Sequence, residues 1–251
     1  MSLVAMFLVI PTAGCGGGQT SGAKKVYIGL TAVLSGPAAD YGEDVKAGLE
    51  KCIDEINSAG GVNIGGQDYI FILKSADDQA APDQALANAQ KFVLEDGINI
   101  IYSPLASNTT GLMGINHKPG EEFLIESYSS VPLYKSSPND LMITFPPPFT
   151  TYIGPFVQQA TSRGWKKAAC METTGAYGDM WNSAFKQAWA AAGGSITTES
   201  RGDYYSVSDF TPHITKVLAT NPDVILCGGP SGPTAMLIQQ TRNLGYTGGF
   251  I

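Results

Sequence analysis

The chain has 251 residues, 43% of them hydrophobic and 15% charged, enough for one large or two modest globular domains with a substantial core. Its net charge of −7 argues against nucleic acid and against an anionic membrane surface as partners. Four Cys and two His, with no CxxC, HExxH or clustered His/Cys spacing, predict neither a metal site nor a metal cofactor.

In chain order, residues 1–22 read as a signal or lipoprotein segment with a flexible tether. Leu3 to Ile10 is apolar but too short to span a bilayer. Thr12-Ala13-Gly14-Cys15 follows, then a Gly/Ser tract. A Cys directly after Ala-Gly resembles the processing box of bacterial lipoproteins, which makes Cys15 a candidate for lipidation. Position 12 is Thr where that box usually has Leu, so an ordinary cleaved signal is the alternative.

Strands and helices alternate from there. Val26 to Thr31 reads as a strand. Gly42 to Ala59 reads as an amphipathic helix with Val45, Leu49, Cys52, Ile53 and Ile56 on its apolar side. Tyr69 to Leu73 is apolar throughout, as in a strand covered on both faces. Pro82 to Glu95 reads as a helix with Pro82 in its first turn. Ile98 to Tyr102 is a strand, Ser107 to Asn116 a weaker helix, and Phe123 to Ile125 and Leu141 to Phe145 are strands. Pro146-Pro147-Pro148 can continue neither a helix nor a central strand, and predicts a stiff crossing between two lobes.

The alternation then restarts. Helices are predicted over Thr151 to Arg163, Asp179 to Ala192, Phe210 to Ala219 (capped by Asp209 or Thr211) and Thr234 to Leu244. Strands are predicted over Lys167 to Met171, Ser195 to Glu199 and Asp223 to Cys227. Gly249-Phe250-Ile251 reads as the start of a further strand, so the natural chain is expected to continue. The predicted division is a tether over 1–22, an N-terminal lobe over 23–145 and a hinge crossing over 146–148. A second lobe covers 149–248, and a return crossing begins at 249–251. Repeated βα units make this an α/β protein of two doubly wound parallel-sheet lobes facing a ligand cleft.

Open α/β sheets bind ligands beyond the carboxyl ends of their strands. The segments there are Ser35-Gly36-Pro37 with Tyr41, Ser103 to Thr110, Ser127-Tyr128-Ser129-Ser130, Thr173 to Gly178, and Gly228 to Gly232. They hold no Lys, Arg or His, and Asp40 is the charge nearest to them. Hydroxyls and free amides at helix starts suit a small carboxylate, and Tyr rings supply flat apolar walls. Ser, Thr and Gly are also ordinary turn residues, so the weight lies on five such segments at matching positions. No GxSxG elbow, Walker A loop or strand-following GxGxxG is present, which argues against an enzyme. His117 and His213 read as helix-surface residues. Asp77-Asp78 reads as helix-start capping before Pro82, and Asn108-Thr109-Thr110 is a sequon by pattern alone. Cys52, Cys170 and Cys227 read as small buried hydrophobes, with a Cys170–Cys227 disulfide open if their strands are neighbours.

Several motifs together resemble the leucine/isoleucine/valine-binding family of bacterial solute-binding proteins. They are Leu34-Ser35-Gly36-Pro37 with Tyr41-Gly42, Asp54-Glu55-Ile56-Asn57 with Gly60-Gly61-Val62, Asp77-Asp78 with Pro82, and Phe92-Val93 with Asp96-Gly97. In the second half they are Ala176-Tyr177-Gly178, Asp209-Phe210-Thr211-Pro212 and Asn221-Pro222-Asp223-Val224. The resemblance runs from Lys25 to Ile251. It implies a type I periplasmic binding protein fold and a monomeric receptor, periplasmic or held at the membrane face through Cys15. Hinge closure on the ligand and delivery to the membrane permease subunits of an ABC transporter, without a cofactor, are also implied.

It implies that Ser107 holds the ligand carboxylate and that Tyr128, Ser129 and Ser130 form the next contact loop. Tyr41 and Tyr177 would pack on the ligand from the two lobes, with Pro230 and Ser231 at the turn after Cys227. Pro230 stands where the family often has an aromatic residue. The family's acidic partner for a ligand ammonium falls beyond Ile251. Aromatic acids and amides therefore stay open beside branched-chain amino acids. The competing readings are a ligand-sensing regulatory domain of the same fold and, less favoured, an enzyme.

Overall fold

The computed structural model describes residues 22–136 and 138–251. The apolar runs of the first half become β1 (Lys24–Ala32), β2 (Val62–Ile64), β3 (Gln67–Asp77), β4 (Ile100–Ser103), β5 (Leu124–Ser127) and β6 (Met142–Thr144). They form one sheet in the order β2-β3-β1-β4-β5-β6, parallel except for β2. Helices α1 (Ala39–Ser58), α2 (Pro82–Leu94), α3 (Ala106–Met113) and the single turn α4 (Leu133–Ser136) connect these strands. Val45 and Leu49 of α1 pack with Leu30, Ala32 and Tyr102. Phe92 of α2 and Leu112 of α3 pack with Ile101 and Ile125.

The second sheet contains β7 (Lys167–Cys170), β8 (Ser195–Glu199), β9 (Val224–Leu226) and β10 (Gly249–Phe250), parallel in the order β10-β9-β7-β8. Its helices are α5 (Thr150–Ser162), α6 (Ala176–Ala191), α7 (Thr211–Leu218) and α8 (Ser231–Asn243). One face buries Phe149, Trp181, Phe185 and Trp189, the last two stacked 5.5 Å apart. Ala106 of α3, Val131, and Leu133 of α4, all from the connections of the first sheet, complete that core. The other face buries Tyr204, Phe210, Ile214 and Val217. Between the sheets the chain runs through Pro146-Pro147-Pro148. The Pro148 carbonyl accepts from Thr151 N at 2.9 Å and from Thr151 Oγ1 at 2.8 Å, which ties the connector to the start of α5.

Several expectations change. Residues 62–77 form an unforeseen hairpin whose two-residue turn, Gly65-Gly66, has φ of +60° and +85°, a conformation that only glycine adopts readily. Helices α1, α6 and α8 each begin three residues before the expected start. Their first turns carry Gly42, Gly178, and Gly232 with Pro233, poor helix formers by propensity. A first turn has no intrahelical acceptors for its N–H groups, so such residues are tolerated there. Asp77 and Asp78 do not cap α2. Asp77 Oδ1 accepts from Leu34 N and Gln79 N, and Asp78 accepts from Ala80 N and Thr31 Oγ1, bracing the ends of β1 and β3 instead. His117 lies beyond α3, where its Nε2 sits 3.0 Å from Asn139 Oδ1. His213 is on α7, with Nδ1 3.2 Å from Ser200 Oγ. Asn108 is fully buried, so the sequon is closed to modification in the folded chain.

Among the cysteines, Cys170 is buried as expected, Cys227 is half-buried, and Cys52 is the one corrected. Cys52 is exposed, one position off the Val45–Leu49–Ile53–Ile56 stripe. Strands β7 and β9 are neighbours, but Cys170 pairs with Leu226, so Cys227 points to the opposite face and no disulfide joins them. Burial pushes the Cys227 thiol up to about 12 and Cys170 higher still. Alkylation of the native protein followed by peptide mass mapping is expected to label Cys52 quickly and to spare Cys170 and Cys227 until the chain is unfolded. Equal labelling of all three would contradict this packing.

Among the described residues, no helix is long and apolar enough to cross a membrane.

Candidate ligand-binding site

In each sheet the strand order reverses beside the first strand, between β1 and β4 and between β7 and β9, where successive connections run off to opposite sides. Such switch points open a crevice at the carboxyl ends of the strands. The two crevices face each other and enclose a cavity of about 280 Å³. Its wall comes from the segments after the strands. Tyr41 follows β1, Pro104 and Ala106 follow β4, Tyr128 to Ser130 follow β5, and Pro146 and Tyr152 follow β6. From the second sheet come Tyr177 after β7, Tyr205 after β8, and Gly229 and Pro230 after β9.

Five of these residues are tyrosines and none is charged. Tyr41 donates its hydroxyl hydrogen to the Pro104 carbonyl at 3.3 Å, joining the loops after β1 and β4. Tyr205 packs on Val33, Ala38 and Leu105 of the first sheet, so it spans the cleft. Tyr177 leans on Trp181, with ring centroids 6.4 Å apart. Burial pushes the hydroxyls of Tyr41, Tyr177 and Tyr205 above the usual tyrosine range, so they stay protonated and can donate. The starts of α1, α3, α5, α6 and α8 all open on this space. The aligned dipoles of all five, and the free first-turn N–H groups of α3, α6 and α8, favour a negative group without any cationic side chain, while Ala39 N, Tyr41 N, Thr151 N and Tyr152 N already donate to preceding carbonyls.

Six of the eight residues expected at the site line this cavity: Tyr41, Tyr128, Ser129, Ser130, Tyr177 and Pro230. Ser107 does not. It lines an adjoining cavity of about 220 Å³. Ser231 lines a side groove with Asp44 and Tyr102, beyond Tyr41 and Tyr128. Cys15 falls outside the described residues. Tyr152 and Tyr205 were missed. Tyr152 lies within a helix, in the first turn of α5, rather than in a strand-following loop, and Tyr205 lies in an irregular loop with no periodicity. Its position in the segment after β8 was the available signal.

The turn that carries Tyr177 is clamped. Glu172, just after β7, is fully buried, and Arg201, just after β8, places Nε 2.9 Å from Glu172 Oε1. Arg201 Nη2 donates to the Thr173 carbonyl at 2.7 Å and to Asp179 Oδ1 at 2.7 Å. Burial raises the Glu172 carboxyl above the usual range, while Asn182 and Arg201 pull it down.

A sequence model described as periplasmic binding protein matches residues 25–251. The chain belongs to the periplasmic binding protein family. It is 28% identical to a Leu/Ile/Val-binding protein of Rhizobium johnstonii over 87% of this chain and 58% of that protein. The chain thus spans a little over half the length of this relative. Among solved structures, a substrate-binding periplasmic protein from Ralstonia solanacearum superposes with a TM-score of 0.79 at 18% identity, covering 90% of this chain and 62% of that one. A solute-binding protein of an ABC transporter from Rhodopseudomonas palustris, solved with 3,4-dihydroxybenzoic acid, gives 0.74 at 19% identity, covering 88% and 59%. These likenesses establish the type I fold of this periplasmic binding protein. Its two-sheet architecture with facing switch points is the arrangement the sequence motifs implied.

Proposed function

We propose that this chain holds a small organic monocarboxylate with a flat, apolar body, an aromatic acid first of all, for delivery to an ABC importer. The carrying observation is the uncharged, five-tyrosine cavity ringed by helix starts from both sheets. The helix starts favour the carboxylate, and the rings cover the two faces of an aromatic body. The Rhodopseudomonas palustris neighbour solved with 3,4-dihydroxybenzoic acid supports this reading by analogy. Location in the periplasm, a permease as partner, a monomeric state and Cys15 as a lipid anchor belong to the same proposal.

A branched-chain amino acid is the second reading, favoured by the name of the Rhizobium johnstonii relative. No carboxylate among the described residues lines the main cavity, and the resemblance places the ammonium partner beyond Ile251, so the cavity wall is neutral between the two readings. A thermal-shift panel separates the two. Benzoates and hydroxybenzoates are expected to raise the melting temperature by mass action, and leucine, isoleucine and valine much less. The reverse order would replace the first reading with the second. A panel with no response would remove both.

For the ligand that binds, Tyr177→Ala is expected to weaken affinity by about 10- to 100-fold, the loss of one aromatic wall and its hydroxyl donor. Isothermal titration measures this, and unchanged affinity would remove Tyr177 from the site.

A further inference from the structure

A ligand enclosed between two sheets enters and leaves only as they part, so contacts made across the cleft set how readily it closes. One such contact lies outside the cavity wall and joins the first turns of α1 and α8. A Cβ at Gly232, the second residue of α8, would lie 2.7 Å from Asp40 Cγ and 2.9 Å from its Oδ1, and closer still to Oδ2. These three atoms are the nearest obstacles. The carboxylate from the first sheet's α1 thus fills the space where any other residue at 232 would carry its side chain. The start of α8 has no cap of its own. Its N-cap is Pro230, whose ring offers no acceptor. The Ser231 and Gly232 N–H groups have no intrahelical acceptor. A carboxylate set against this end meets the positive pole of the helix dipole. Both partners adjoin the cavity wall in sequence, Asp40 just before Tyr41 and Gly232 two residues after Pro230, but neither lines the cavity.

We propose that Asp40 and the start of α8 form a latch across the cleft, in which a carboxylate from one half caps an uncapped helix of the other and Gly232 leaves room for it. The inference rests on the reading of the cavity as a ligand site covered from both sides. The latch acts on closure and not on the ligand. Apparent affinity scales with the fraction of molecules able to close, so a side chain at 232 lowers affinity whatever the ligand. It leaves the packing within each half untouched, because the obstacle belongs to the opposite half and swings away as the halves part.

Two readouts on the full chain test this. The first needs no ligand. In a Cys15→Ser/Cys52→Ser background, Asp40→Cys with Gly232→Cys is expected to form a disulfide on mild oxidation, read by non-reducing peptide mapping. Gly48→Cys with Gly232→Cys is the control, because position 48 lies two turns and about 12 Å further along α1, out of reach of a disulfide. The second is isothermal titration with 4-hydroxybenzoate. Gly232→Ala should bind about fivefold or more weakly, with the ligand-free melting temperature of the wild type. Asp40→Ala should bind about two- to fivefold more weakly, the size of one charge at a helix start. The double variant should be no weaker than Gly232→Ala, since a broken latch cannot be broken twice. A pair that cross-links no faster than the control, unchanged affinity in Gly232→Ala, or two effects that simply add overturns the latch, while 4-hydroxybenzoate binding keeps the aromatic-acid reading intact. If 4-hydroxybenzoate binds none of these proteins, that reading fails, and the cross-link alone decides the latch.

Discussion

Gly178→Ala is expected to cost both stability and ligand affinity. A Cβ at Gly178 would lie 1.6 Å from the Thr173 carbonyl oxygen and 2.9 Å from Arg201 Nη2. Carbon atoms in ordinary contact stand about 3.5 Å apart, so the start of α6 must retreat by well over an ångström. Both obstacles resist. The Thr173 carbonyl is backbone held by the Arg201 guanidinium, and Arg201 is held in turn by Glu172 and Asp179. Overpacking of this kind costs about 1–3 kcal/mol. Tyr177 is the preceding residue, so the same retreat pulls a ligand wall out of place, and affinity should fall by about tenfold or more. The first lobe repeats the device, with Tyr41 preceding Gly42, whose Cβ would lie 1.8 Å from the Val33 carbonyl oxygen. Gly48→Ala is the control. It sits in the middle of α1 with open space around it and should be neutral or stabilising by about 0.5–1 kcal/mol. Thermal melts and titration calorimetry on Gly178→Ala and Gly48→Ala decide the matter. A Gly178→Ala protein with wild-type melting temperature and affinity would show that the turn is not the support described.

Arg201→Ala is expected to destabilise the fold by about 3–5 kcal/mol at neutral pH, because it leaves the fully buried Glu172 carboxylate without its counter-charge. For a domain of this size that lowers the melting temperature by roughly 6–20 °C. The Thr173 carbonyl and Asp179 lose a donor as well. The pH dependence has a definite sign. Burial raises the folded-state value of Glu172 above its unfolded value. The folded state therefore binds this proton more readily than the unfolded state. Its contribution is fully present below the unfolded value and is lost as pH rises through the folded one. Removing Arg201 takes away a lowering influence and moves the folded value further up. The deficit of Arg201→Ala should therefore shrink on moving from pH 8 to pH 5. A Glu172→Gln/Arg201→Ala double variant should recover part of the loss at pH 8 and show little of that pH dependence. A deficit independent of pH, unrelieved in the double variant, would mean that packing rather than charge accounts for the effect.

The architecture was legible because the signals for it are periodic. The all-apolar Tyr69 to Leu73 forms part of a strand, half-buried rather than covered on both faces, and the stripe of Val45, Leu49, Ile53 and Ile56 states a helix by its spacing and packs as that spacing implies. Helix starts were placed late because Gly42, Gly178 and Gly232 look like breakers, and first turns obey different rules from helix interiors. Cys52 was misplaced by one step of helical phase, a rotation of roughly 100°. Whether Cys170 and Cys227 share a face depends on strand register, which spacing within either strand does not contain. At the site, strand-following loops pointed to Tyr41, Tyr128 and Tyr177. Tyr205 escaped because it crosses from one sheet to the loops of the other, a long-range contact with no local signature.

The cavity wall is assembled from one to three residues after each of seven strands, while the buried aromatics Phe92, Phe185 and Trp189 stand behind the sheets, away from it. Heritable change can therefore act on the two separately. A substitution at Pro230 or Ser130 alters what a ligand meets without asking Trp189 to repack, so new ligand preferences are reachable by single steps through folded intermediates. Tyr177, Tyr205 and Ala106 are exceptions, because each lines the cavity and also packs into a core: Tyr177 on Trp181, Tyr205 on Val33, Ala38 and Leu105, and Ala106 in the cluster with Val131 and Phe149. A lineage descended from this chain would be expected to diversify first at the loops that carry no core contact, and to hold these three longest.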